Sequence, residues 1–159
     1  MSLAAFSLLL QERVLGFLQR RAPASKLPPH LVTGLRGEQA ALFFLRGLGF
    51  TIVAQRWTSA KLRGDLDLVG WDGPTVVIFE VKTRTTRDFA APETSVDRSK
   101  QRQLRLMGEA WLRQLPREHR ESVVLRFDLV SVYLLPTGPE FEHFPNAFAR
   151  LSDVRRYGV

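Results

Sequence analysis

Asp67, Glu80 and Lys82 are the residues of this chain whose types and spacing best suit chemistry. In GDLDLVGW, Gly64 to Trp71, strand alternation puts Asp65 and Asp67 on one face and Leu66 and Leu68 on the other. In TVVIFEVKT, Thr75 to Thr83, Glu80 and Lys82 share a face with Val76 and Ile78, opposite Val77, Phe79 and Val81. Asp72, Gly73 and Pro74 make the turn that joins the two runs as a hairpin. With that turn centred between Gly73 and Pro74, Asp67 lies across from Glu80 and Asp65 across from Lys82. Facing Cβ atoms on paired strands are roughly 4.5–5.5 Å apart, where like charges repel. A shared proton, the neighbouring Lys82, or a bound hard cation such as Mg²⁺ or Mn²⁺ would offset that repulsion. An odd slip of register would instead separate the carboxylates onto opposite faces.

Two helical patterns aim further polar groups inward. Glu38 falls on the stripe of Leu35, Ala41, Leu42, Leu45 and Leu48, where a carboxylate is costly to bury unless paired or coordinating. Lys100 and Gln103 share a face with Val96, Leu104, Met107 and Trp111. Each has a plain structural alternative: Glu80 with Lys82 as a salt bridge, Asp67 as a hairpin-edge carboxylate, Glu38 as a helix-start residue favoured by the dipole, Lys100 with its stem on apolar surface. Three carboxylates and two lysines converging from four elements are harder to explain by stability alone.

The elements that must position these groups follow from periodicity and breakers. Residues 3–21 read as an amphipathic helix, ended by the proline-rich APASKLPPH. A second helix runs from about Gly34 to Leu48, then strands over Phe50–Trp57, Gly64–Trp71 and Thr75–Thr83. A looser stretch from Arg84 to Thr94 leads to a helix from about Ser95 to Leu115, a long strand over Val123–Leu135 and a short one over Glu140–Phe144. This order predicts an α/β protein with a central mixed sheet of about five strands flanked by helices. Its expected divisions are an N-terminal helix and linker over 1–33, one domain over 34–148 and a tail over 149–159.

Composition sets the outer bounds. A chain of 159 residues, 45% hydrophobic and 25% charged, suits one soluble globular domain. Without cysteine it has no disulfide framework, thiolate metal site or cysteine nucleophile, which favours the cytoplasm. The apolar run Leu3–Leu10 is far short of the roughly 20 residues of a membrane span and lacks the charges of a secretory signal, so neither span nor export is expected.

The net charge of +7 is unevenly spread. Residues 1–30 hold four basic side chains against one acidic, and residues 82–105 hold seven (Lys82, Arg84, Arg87, Arg98, Lys100, Arg102, Arg105) against three. The remainder is balanced, twelve against twelve. Clustered positive charge is the footprint of a polyanion partner or, equally, of a solvated helix face. His30, His119 and His143 lack metal-ligand spacing, and no glycine-rich loop matches a phosphate-binding fingerprint. Asp128 suits a salt bridge with Arg126, and Trp57, Trp71 and Trp111 suit a core.

The acidic residue on one strand and Glu-x-Lys on the next resemble the signature of the PD-(D/E)XK nuclease superfamily. More specifically, GEQAALFFLRGLGF, GDLDLVGWD, VIFEVKTR, Lys100 in its helix, RFDLVSV and the closing NAF resemble the YraN family, described as similar to Holliday junction resolvases. The resemblance covers about Gly34 to Phe148 and implies a restriction-endonuclease-like fold. It also implies divalent-metal hydrolysis of DNA phosphodiesters, with a non-catalytic nucleic-acid-binding module on the same fold as the alternative. By position, Asp67 and Glu80 resemble the metal ligands, Lys82 the catalytic lysine and Glu38 the assisting helix carboxylate. Lys100 and Gln103 match polar positions of the following helix, and with Arg84, Arg87, Arg98, Arg102 and Arg105 they would line the approach of the nucleic acid. Asp65 departs from the family's more usual Glu in GEIDL. Junction resolvases of this fold act as dimers, so a homodimer is implied by analogy.

Overall fold

A computed structural model describes residues 28–87, 96–120 and 122–150. The helix expected over residues 3–21 lies outside them, as do residues 88–95 and most of the expected tail. The chain divides into two compact units, Met1–Val32 and Thr33–Val159, and every strand among the described residues belongs to the second. No helix among the described residues is long and apolar enough to cross a membrane.

Helix α1 spans Pro29–Gly47 and begins before the expected Gly34. The prolines that end the preceding helical pattern also start this one. Pro28 O accepts the N–H groups of Leu31 and Val32 at 3.0 and 3.2 Å, and a proline at the first helical position sacrifices no bond. At the other end Gly49 takes φ +99 and Phe50 N–H donates to Leu45 O at 3.1 Å, closing the helix against strand β1.

Strands β1 (Thr51–Ser59), β2 (Leu62–Asp72) and β3 (Thr75–Arg84) form an antiparallel meander. Helix α2 (Arg98–Leu112) crosses to β4 (Val124–Leu135), which lies parallel to β3, and β5 (Gly138–Phe144) returns antiparallel. The result is a mixed sheet in the order β1-β2-β3-β4-β5. Asp97 caps α2, its Oδ1 accepting Lys100 N–H at 2.8 Å, so this helix starts after the expected Ser95. A four-residue helix α3, Arg117–Arg120, follows Pro116 and has no clear period of its own in the sequence.

Among the described residues, each face of the sheet is packed by one helix. Ala41, Leu42 and Leu45 of α1 pack on Leu68, Val77, Phe79, Val81, Val130 and Val132. Leu104, Met107, Trp111 and Leu112 of α2 pack on Val76, Ile78, Leu125, Phe127 and Leu129, with Phe148 behind them. Each fully buried Leu, Ile or Phe stabilises this sandwich by about 1.5–3 kcal/mol. Trp57, Trp71 and Trp111 all pack against the α2 side, the last two edge to face at 6.4 Å.

The hairpin register follows the expected centre from Asp72↔Thr75 to Leu68↔Phe79, and there the pairing stops. Two expectations fail beyond it: Asp67 is not ladder-paired with Glu80, nor Asp65 with Lys82. Asp65 instead faces Thr58 of β1. Leu66 belongs to the α2-side core and Leu68 to the α1-side core, so the even alternation expected through Asp67 is broken. The physical cause is the Asp67 side chain, whose Oδ2 accepts Val81 N–H at 2.7 Å and replaces a rung of the ladder.

Candidate metal centre and nucleic-acid face

The open end of the β2–β3 pair is where the candidate residues meet. β3 stays apolar on both faces as far as Phe79 because it is the central strand, covered by α1 and α2. Glu80 continues the Val76–Ile78 face toward α2 and is only 2% exposed. A carboxylate taken that far out of water needs partners. Lys82 Nζ donates to Glu80 Oε1 at 2.8 Å, and Lys100 Nζ of α2 lies 3.2 Å from Glu80 Oε2. Lys100 meets the buried Oε2 as an ion pair, less well aligned than the Lys82 bond to Oε1.

Burial pushes the Asp67 carboxyl up to about 7, with the Glu80 charge adding to the rise against the Val81 N–H bond and Lys100. Burial alone would pull the Lys100 ammonium down, but the charges of Glu80 and Asp67 outweigh it and leave it raised. The Glu38 carboxyl of α1 is raised by burial against a lowering by Arg56, and it also feels Asp65 and Glu80. Four carboxylates therefore share one electrostatic neighbourhood. Gly37, just before Glu38, is required by the close approach of α1 to β3, since a Cβ there would collide with the Thr83 side chain.

The cationic residues separate by what they touch. Lys82 and Lys100 converge on Glu80. Arg98 and Arg102 are exposed on α2, and Arg102 and Gln103 line a cavity of about 240 Å³ with Arg63 and Leu106. Gln103 Nε2 donates to Arg63 O at 2.9 Å, tying α2 to the start of β2. Arg84 ends β3, partly buried and in register with Tyr133. Arg87 and Arg105 are drawn elsewhere. Arg87 pairs with Glu140 and Glu142, both at 3.4 Å, and lies over the Tyr133 ring. Arg105 donates to Ala149 O at 2.7 Å and lies over Phe148.

Asp128 is fully buried away from this site. Arg126 holds it in a fork at 2.8 and 2.9 Å, as the sequence leads one to expect, and His143 and the Asn146 N–H complete its bonds at 2.9 Å each. The residue that sequence reasoning passed over is Arg56. It lies 3.8 Å from Glu38 and 3.7 Å from Asp65, linking α1 to β2 beside Asp67. Its signal was the consecutive polar pair Gln55-Arg56 inside FTIVAQRW, which breaks strand alternation.

The donor set fits a small hard cation. Among the described residues no three His, Cys, Asp or Glu side chains form a ready-made metal cluster. Mg²⁺, however, keeps several waters and is commonly held by one or two carboxylates. Asp67 and Glu80 are such a pair, and the buried Glu80 Oε2, met by the Lys100 ammonium at 3.2 Å, is an oxygen suited to it.

A five-stranded mixed sheet flanked by helices, with Asp67 and Glu80-Val81-Lys82 where β2 and β3 part, defines a protein of restriction-endonuclease-like fold in the PD-(D/E)XK-like class. Within that class the chain belongs to the YraN family, whose model, described as "Uncharacterised protein family UPF0102", matches residues 37–132. A UPF0102 protein of Koribacter versatilis is 44% identical over 126 residues, covering 79% of this chain and 85% of its own. One from Solibacter usitatus is 37% identical over 115 residues, with 72% and 84% covered. Another, from Geobacter sulfurreducens, is 36% identical over 118 residues, with 74% and 88% covered.

Proposed function

We propose that this protein is a Mg²⁺-dependent, resolvase-like endonuclease that hydrolyses phosphodiester bonds in DNA. The observation that carries the reading is Glu80: a carboxylate 2% exposed, flanked by two lysines, beside an Asp67 carboxyl raised to about 7. A raised carboxyl beside a buried, lysine-flanked carboxylate at the open end of a sheet is characteristic of reactive sites. Asp67 and Glu80 would hold the ion. Bound there, Mg²⁺ supplies charge neutralisation at the phosphate, an acidified water and stabilisation of the leaving oxygen. Lys82, fixed by Glu80 Oε1, holds an ammonium at the site to orient water or balance phosphate charge. Lys100 sets a second ammonium against Glu80 Oε2 from helix α2. Glu38 adds a carboxylate from α1, and exposed Arg98 and Arg102 receive the DNA backbone. The same reading implies DNA as partner, a homodimer and a cytoplasmic setting.

A second reading, a nucleic-acid-binding module without catalysis, is favoured by one observation: both oxygens of Glu80 are already faced by lysine ammonium groups. Cleavage of branched, single-stranded and duplex DNA with Mg²⁺ or with chelator separates the two. The nuclease reading predicts metal-dependent cleavage lost by about 10²-fold or more in Asp67→Ala and Glu80→Gln. DNA binding without cleavage by the wild type, with both variants indistinguishable from it, would establish the module instead.

A further inference from the structure

We propose that Arg56 is the guanidinium that grips a DNA backbone phosphate beside the Asp67–Glu80 pair, and that Glu38 and Asp65 hold it in readiness until DNA arrives. The inference rests on the DNA-acting reading above and adds to it a residue that the family signature does not include.

The first observation is the backbone. Arg56 takes φ +47, in the left-handed region; the only other non-glycine residue to do so among the described residues is Asn146. Asparagine is favoured in that region and arginine is not, so the conformation carries strain. Backbone strain of this kind persists where the surroundings enforce it, and it gathers at functional sites. Here the surroundings are the β1–β2 ladder. Gln55 pairs with Leu68 and Trp57 with Leu66, so Arg56 stands across from Asp67. That is the point at which β2 breaks its alternation and turns a carboxylate to Val81 N–H. The strained residue and the candidate metal ligand thus share one kink.

The second observation is how loosely the side chain is held. Arg56 Nε is 3.8 Å from Glu38 and 3.7 Å from Asp65, too far for hydrogen bonds, and the side chain is 54% exposed. Exposed ion pairs of this length contribute little to stability, so they do not account for the strain. The nearby cations are committed more firmly. Lys82 is 2.8 Å and Lys100 3.2 Å from Glu80. Arg56 can exchange its partly exposed carboxylates for a phosphate at less cost than Lys82 or Lys100 could leave the buried Glu80. Its planar fork of donors matches two phosphate oxygens, which an ammonium does not.

The test uses full-length wild type, Arg56→Gly and Arg56→Asn, which both tolerate the left-handed backbone, and Arg56→Lys, which keeps the charge but not the fork. Three quantities are measured: thermal midpoint, DNA affinity by fluorescence anisotropy with Ca²⁺ replacing Mg²⁺, and KM against kcat for Mg²⁺-dependent cleavage. Arg56→Gly and Arg56→Asn should keep or raise the midpoint while weakening DNA affinity about tenfold and raising KM more than they lower kcat, with Arg56→Lys between them and wild type. Unchanged affinity in the Gly and Asn variants, or a lowered midpoint in both, would overturn the proposal and make Arg56 surface or strut. Wild-type protein that binds DNA but cleaves nothing sinks the nuclease reading separately, because the grip is read from affinity alone.

Discussion

At Asp67 the fold holds a carboxyl at about 7 that an unfolded chain would ionise near 3.8, because burial and the Glu80 charge both oppose its ionisation. Between those values the folded state binds more protons than the unfolded one. The metal-free protein should therefore lose stability as pH rises from about 4 to about 7, and level off above. Asp67→Asn keeps an oxygen for Val81 N–H and has nothing to ionise, so it should flatten this slope and be more stable than wild type at pH 8 by on the order of 2–4 kcal/mol. Urea unfolding across pH in chelator checks both statements; a wild-type profile that is flat from pH 4 to 7 contradicts them. Cation binding requires the ionised form, so Mg²⁺ affinity by calorimetry should be about tenfold tighter at pH 8 than at pH 6.

The elements that position this residue differ in how far the sequence declared them. The hairpin register was legible because Asp72-Gly73-Pro74 fixes the turn and Val76 to Val81 alternate between two cores. Its end at Leu68↔Phe79 was not, because a side chain takes over a backbone rung there and periodicity carries no trace of that exchange. Pro28 and Pro29 were legible as breakers but not as a helix start, since one residue type marks both. Of the site, Glu38, Asp67, Glu80, Lys82 and Lys100 were legible from type and face. Arg56 was marked only by the break in alternation at Gln55-Arg56, because its backbone angle and its distance to Asp65 exist only in the folded chain. At the junction of β4 and β5, burial would raise the Asp128 carboxyl, but bonds from His143, Arg126 and Asn146 win and lower it. Its contribution to stability is thus present above about pH 4 and lost as pH falls through the lowered folded value. Asp128→Ala removes the carboxylate of His143 and leaves Arg126 with Asp72 alone, and it should destabilise by about 3–5 kcal/mol in thermal or urea unfolding at pH 7. A loss within experimental error of zero would show that this network does not tie the two strands.

For the whole molecule, the +7 divides by what each basic side chain already touches. Arg98 and Arg102 face solvent on α2, whereas Arg87 and Arg105 are spent on Glu140, Glu142 and Ala149 O. Arg98→Ala and Arg102→Ala should each weaken DNA binding and lower the slope of log K against log salt by about one, while Arg87→Ala and Arg105→Ala change affinity little. Anisotropy titrations between about 50 and 200 mM salt distinguish these pairs, and equal effects from all four would contradict the division. All of this charge serves one central claim, that Asp67 and Glu80 together hold a divalent cation. The most direct measurement is anomalous diffraction from crystals soaked in Mn²⁺. The account predicts a peak between the Asp67 and Glu80 carboxylates in wild type that is absent in Glu80→Gln. Crystals in which Mn²⁺ binds elsewhere or nowhere, with Glu80 still closed between Lys82 and Lys100, would contradict it.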